Sequence, residues 1–256
     1  PEFQPSPLAW WRENETPLPA SPNFYTFGKG LDTRGANGIY FVELREPAPR
    51  AGQIRIANLP KEGRHPEVRR MGERLATVDA DLIVPLVRGR DVRRFRAQPS
   101  GYILLPYDPS NRASVLDFDT LYTRYRSTYL FLNNFRQILL NRSPYMSFRP
   151  TERCWWSIYG MEHMVKEFLV CVTEIADPPQ CAVVTRIWDE TLGRTVVPVV
   201  DHKVTFYGTD NEAEAYYLCG MINSRVLQDF LDRYALLTSI SPQTIRRLPL
   251  RRFDES

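Results

Sequence analysis

Five arginines fall within nine residues in the run Arg88-Gly89-Arg90-Asp91-Val92-Arg93-Arg94-Phe95-Arg96. Guanidiniums this close repel one another, and the repulsion must be offset by an outside anion or by local acids, of which the run holds Asp91. Phosphate suits arginine because the planar fork meets its oxygens two at a time. The chemistry on offer is recognition of a polyanion. A solvated loop, with Asp91 paired to one neighbour and the other side chains in water, is the plainer alternative.

Residues for bond-making are not evident. Binding S-adenosylmethionine usually takes a glycine-rich turn between a strand and a helix. Methylating a base amino group also takes an Asp/Asn-Pro-Pro-aromatic tetrad to stack on the flipped base. Asp177-Pro178-Pro179-Gln180 is the nearest approach, but glutamine offers no stacking face and no glycine-rich turn lies upstream, so it reads as a plain turn. P-loop, H-E-x-x-H and G-x-S-x-G patterns are missing from the sequence, and Asp201-His202-Lys203 is too short to define a nuclease motif. Three scattered histidines and four separated cysteines (Cys154, Cys171, Cys181, Cys219) give a zinc site no support and suggest reduced, mostly buried thiols in a cytoplasm.

The chain has 256 residues, 43% of them hydrophobic and 25% charged, enough for one large domain or two small ones. No apolar run is long enough to span a bilayer as a helix, so no membrane partner is expected. Net charge is only +3, yet lysine occurs only at Lys29, Lys61, Lys166 and Lys203, and arginine supplies the rest of the positive charge. A GC-rich genome or a phosphate-binding surface would each explain that bias. Pro1-Glu2-Phe3 (residues 1–3) reads as the remnant of a tag and cloning junction, and the chain as an excised piece whose other parts lie upstream.

The elements that must hold the arginine run are legible in outline. Residues 4–23 form a proline-rich, irregular lead-in anchored by Trp10-Trp11. The glycine-punctuated stretch Gly28 to Gly38 opens into a strand at Ile39-Tyr40-Phe41-Val42. Strands are expected at Gln53 to Asn58, Leu82 to Val87 and Tyr102 to Tyr107, the last two flanking the arginines. From Asp119 to Leu140 the period turns helical, with Leu121, Tyr125, Leu132, Phe135 and Leu139 on one face and Asp117 or Asp119 as the cap. Strands follow at Phe168 to Ile175, Ala182 to Trp188, Thr195 to Val200 and Val204 to Tyr207. One helix capped by Asn211 runs to Met221, and another spans Ser224 to Tyr234. Strands and helices in blocks imply an α+β fold, mostly antiparallel sheets with packed helices. Residues 24–256 read as one domain, with a soft boundary at 141–153 where two lobes could divide.

Several stretches together resemble a known family. Leu82-Ile83-Val84-Pro85-Leu86-Val87-Arg88-Gly89-Arg90-Asp91-Val92-Arg93-Arg94-Phe95 resembles the "plLrGkDikry" signature of the TaqI-like C-terminal specificity domain of adenine-N6 DNA methyltransferases and type II restriction-modification enzymes. Gly101 to Tyr107 resembles the strand after that signature, and Tyr125 to Arg142 the family's tyrosine-bearing helix ending in "iLekR". Met221-Ile222-Asn223-Ser224-Arg225-Val226-Leu227 resembles "lLNSkll", Ile245 to Leu250 resembles the closing "l..lPip", and Gly28 to Val42 the "G..t..ngvFiv" opening. These landmarks occur in family order over most of Phe27 to Leu250. Residues Ala48 to Thr77 and Trp155 to Gly160 depart from the pattern.

The resemblance implies a target-recognition domain that clamps double-stranded DNA. Catalysis would then belong to a missing N-terminal domain that binds S-adenosylmethionine, in a bacterial restriction-modification or phage-defence enzyme, with this fragment cytoplasmic, monomeric and free of cofactor. It implies phosphate-facing roles for Arg88, Arg90, Arg93, Arg94 and Arg96. Gly35 and Gly38 would let a backbone turn approach DNA, although a purely structural turn serves as well. Arg142, Ser143, Tyr145 and Arg149 would form a second loop able to enter a groove, or else a solvated connection. Trp155, Trp156 and Tyr159 could stack on bases, but paired tryptophans more often anchor cores. Asn223 and Ser224 look structural, as a cap restarting the second helix. The other functional reading is a protein-interaction module that docks a catalytic domain or partner subunit through Leu227, Phe230 and Leu231, with little DNA contact.

Overall fold

The structure, a computed structural model, describes residues 23–47, 50–142, 154–161, 164–175, 179–234 and 240–254. Its larger sheet has six strands in the order Val199–Val200, Ile83–Val87, Gly101–Leu104, Phe41–Pro47, Gln53–Asn58, Leu75–Asp79. Every neighbouring pair in it is antiparallel except Val199–Val200 against Ile83–Val87. A second, wholly antiparallel sheet runs Gly28–Lys29, Val204–Thr209, Phe168–Thr173, Cys181–Val184. The chain is therefore an α+β fold of mostly antiparallel sheets with packed helices. Among the described residues, no helix is long and apolar enough to cross a membrane.

The four-stranded sheet explains why Phe168–Thr173 is an almost unbroken apolar run. Side chains alternate across a strand, and both faces here are covered. Leu169 and Cys171 join the large core built on the six-stranded sheet. Val170 and Val172 join a smaller core with Tyr25, Phe27, Leu218, Ile222 and Ile245. The smaller core is closed by the helix Glu212–Ile222, started by the Asn211 side chain accepting from Glu214 N–H, and by Pro242–Arg246. Burial raises the Cys171 and Cys181 thiols above their ordinary range, so these cysteines act as inert packing.

Several elements differ from the sequence expectation. The strand expected at Ile39 begins as a helical turn, Asn37–Tyr40, and extends only from Phe41. The turn is closed locally, with Ile39 and Tyr40 N–H both donating to Ala36 O, and is held by a tertiary contact, Asn58 donating to Gly38 O at 2.7 Å. The helix expected over Asp119 to Leu140 is three short helices, Phe118–Thr123, Arg126–Asn133 and Arg136–Leu140, the first capped by Asp117. Its apolar face survives, with Leu121, Tyr125, Leu132, Phe135 and Leu139 all buried. Asn134 ends the middle helix by donating to Leu130 O and Phe131 O, a competition with the helical ladder that short polar side chains win readily. The strands expected at Ala182 to Trp188 and Thr195 to Val200 each divide. Cys181–Val184 and Val199–Val200 belong to the two sheets, while Ile187–Asp189 pairs with Arg194–Val196 as a separate hairpin. Pro198, which has no N–H for a ladder, lies at the second division.

Candidate nucleic-acid interface

Ile83–Val87 is buried at every position and delivers the arginine run to the surface. At its end Gly89–Asp91 forms a tight 3-10 turn, and the chain doubles back as a two-strand hairpin, Val92–Arg93 with Arg96–Ala97. The turn is held from inside. Asp91 Oδ2 accepts from Arg88 N–H at 2.8 Å and from Ser100 Oγ at 2.9 Å, and the Asp91 side chain is almost fully buried. Gly89 packs closely there: a Cβ would lie 3.1 Å from Lys203 O, tighter than ordinary contact.

The five arginines divide sharply. Arg88 is buried, ion-paired to Glu62 at 2.9 Å and lying over the Phe41 ring. Its expected phosphate-facing role meets a side chain already engaged within the fold. Arg90, Arg93, Arg94 and Arg96 are exposed. Among the described residues, the only carboxylate within ion-pair distance of any of the four is Asp91, 3.9 Å from Arg90 Nε. Arg93 and Arg96 are direct cross-strand partners, so two like charges share one face of the hairpin, a destabilising placement unless an anion lies over it. Arg94 donates to Asn223 O at 3.1 Å, and Arg96 to Gln98 Oε1 at 2.8 Å.

Arg94 and Phe95 form the two-residue tip. Phe95 has φ +64° and is 60% exposed. A positive φ confined to the second turn residue is the type II pattern, where glycine normally sits. For a residue bearing a Cβ it costs about 1–2 kcal/mol. The tip is pinned by Phe95 N–H donating to Cys181 O at 2.9 Å, across to the edge of the four-stranded sheet, and Arg94 lies 5.3 Å over the Phe95 ring.

Beside the turn is a polar cleft of about 760 Å³, lined by Asp32, Arg34, Gly35, Asn37, Phe41, Glu62, Arg64, His65, Pro66, Arg88, Asn141, Arg142 and Asp201 to Lys203. Guanidinium and ammonium groups outnumber carboxylates on its walls. Burial pushes the Asp201 carboxyl above its ordinary range, against the Lys203 N–H and the charges of His202 and Arg88, which pull it down. Gly35, with φ +87° and only Arg64 Cβ nearby, lies open on the cleft wall. Gly38 does not. A Cβ there would lie 3.0 Å from Pro60 O, so this glycine serves packing and not an approach to DNA.

Arg142 also proves internal. It is 3% exposed and donates to four carbonyls: Leu139 O at 2.9 Å, Thr33 O at 3.1 Å, Trp155 O at 2.7 Å and Ser157 O at 2.9 Å. The expected groove-entering role for Arg142 gives way to that of an anchor, because carbonyls from three chain segments converge on its fork. Ser143, Tyr145 and Arg149 lie outside the described residues. Trp155 and Trp156 are core, stacked edge to face, with Trp156 Nε1 donating to Leu116 O. Tyr159 packs under Arg34. Asn223 is structural, exchanging bonds with the Cys181 backbone, and Ser224 Oγ accepts from Leu227 N–H at the second helix start. Leu227 is buried in the smaller core, which removes it from any docking face, and the Phe230 and Leu231 side chains lie outside the described residues.

Reading residues singly missed the cleft, whose walls come from five separate stretches. His65, His202 and Lys203 carry no local motif that could have flagged them. Phe95 was visible only as the last residue of the arginine signature. Compared with known proteins, the chain matches no protein-family model and no curated protein.

Proposed function

We propose that this chain is a double-stranded DNA target-recognition module of a larger adenine-N6 DNA methyltransferase or restriction-modification enzyme. One observation carries the reading: four exposed arginines crowd a single turn and hairpin, and among the described residues Asp91 is the only carboxylate within ion-pair distance of them. Such a concentration of like charge is tolerable when a polyanion lies over it, and arginine forks suit phosphate oxygens. Phosphate contacts of this kind fix register and supply affinity, while bases are read by side chains elsewhere on the surface. Methyl transfer and S-adenosylmethionine would belong to a separate catalytic domain, with this module delivering the duplex to it. The resemblance of Leu82 to Phe95 to the specificity-domain signature agrees with that division.

The test is fluorescence anisotropy on labelled duplexes across a salt series. Affinity should fall steeply with salt, and the Arg90/Arg93/Arg94 triple alanine variant should bind every duplex more weakly. The slope of log affinity against log salt should drop by about 3. A triple variant that binds as tightly as the parent removes the assignment. Calorimetry should give no heat for S-adenosylmethionine with this chain alone.

A further inference from the structure

The hairpin tip carries a feature that phosphate binding does not need. Arginines on a hairpin could meet phosphates from any turn, and glycine would fit the positive-φ position without strain. Phenylalanine stands there instead, its ring largely in water, on a backbone tied by Phe95 N–H to Cys181 O, with the neighbouring Arg94 side chain bonded to Asn223 O. Strained, rigid and solvent-exposed apolar residues are unfavourable in a free surface loop, and strain of this kind collects where a ligand is engaged.

We infer that Phe95 is a wedge that enters the base stack of the bound duplex. The inference rests on the DNA-binding reading above and adds the contact that deforms the DNA. The flanking Arg93, Arg94 and Arg96 bring phosphates to the hairpin whose tip carries the ring, so backbone neutralisation and ring insertion occur at one place. Apolar side chains inserted between base steps unstack them and kink the helix. Arg94, lying over the ring, keeps it oriented while the tip is free. The ring's occupant is thus a base step of duplex DNA, chosen over a protein surface because the exposed Arg93, Arg94 and Arg96 flank it on the hairpin.

Duplexes enriched by the full chain from a randomised pool supply the probe, labelled at both ends for energy transfer. The parent should shorten the end-to-end distance on binding. Phe95→Ala and Phe95→Gly should lose that shortening and bind about tenfold more weakly, with the salt slope unchanged because the arginines remain. Phe95→Trp should keep both. Phe95→Gly should be no less stable than the parent in a thermal melt, since glycine relieves the backbone strain, so a loss of bending there is not a loss of folding. If the alanine and glycine variants bind and bend DNA as the parent does, the wedge is wrong and the DNA-binding reading stands. If the parent enriches no duplex, both fall together.

Discussion

Arg142 and the hairpin arginines place the same side chain in opposite circumstances. Arg142 commits four of its five N–H donors to carbonyls from the helix end, the Thr33 turn and the Trp155–Ser157 segment, and its side chain is buried among them. Arg90, Arg93, Arg94 and Arg96 stand exposed within a few residues of one another, with two of them opposed across a hairpin. The first arrangement builds the fold and the second strains against it. A guanidinium is therefore a functional candidate by what its surroundings leave unmet, not by its place in a cluster. Arg88 makes the same point inside the signature itself, being the buried member, held by Glu62 at 2.9 Å.

That contrast can be broken from either side. The largest effect is expected at Arg142→Met, which strands buried carbonyls and should cost about 3–5 kcal/mol in a denaturant titration. A cost under 1 kcal/mol would mean Arg142 is no anchor. Asn223→Ala removes the bonds to Cys181 N–H and Cys181 O that tie the second helix start to the sheet edge, and about 2 kcal/mol should be lost in the same titration.

Asp201→Asn sharpens the cleft side. Because burial raises its folded-state pKa, the folded protein holds the proton more tightly than the unfolded chain does. Stability should then fall as pH rises from the ordinary carboxylate range through that raised value. Asparagine mimics the neutral form, so the variant should be more stable than the parent near neutral pH and lose this part of the pH dependence in melts from acid to neutral. An unchanged profile would show that Asp201 ionises normally. The smallest effect on folding belongs to the hairpin. Arg90→Ala, Arg93→Ala and Arg96→Ala should each move stability by less than about 0.5 kcal/mol, and relief of repulsion could make the Arg93 and Arg96 changes favourable. A loss above 2 kcal/mol from any of them would place that arginine with Arg142 as a structural residue.

Local pattern carried far in this chain. The α+β class, the strands at Gln53–Asn58 and Ile83–Val87, the Asn211 cap and the core position of Trp155 and Trp156 all follow from period, turn chemistry and side-chain character. The apolar face of residues 118–140 was legible too, because burial selects it whether or not the helix is continuous. What failed were boundaries and breaks: the turn at Asn37–Tyr40, the interruptions at Tyr125 and Phe135, and the splitting of two long strands. The turn at Asn37–Tyr40 is held by Asn58, distant in sequence. The break before Phe135 is set by the Asn134 side chain competing with the helical ladder, and one strand divides at Pro198, which has no N–H for a ladder.

The sequence by itself determined that arginines would crowd after a buried strand, since composition and spacing are written there. Only the tertiary structure decided which of them face outward, because that depends on Glu62 reaching Arg88, on Asp91 turning inward to Ser100, and on carbonyls from remote segments converging on Arg142. Charge is a property of a residue, but its availability is a property of everything packed around it.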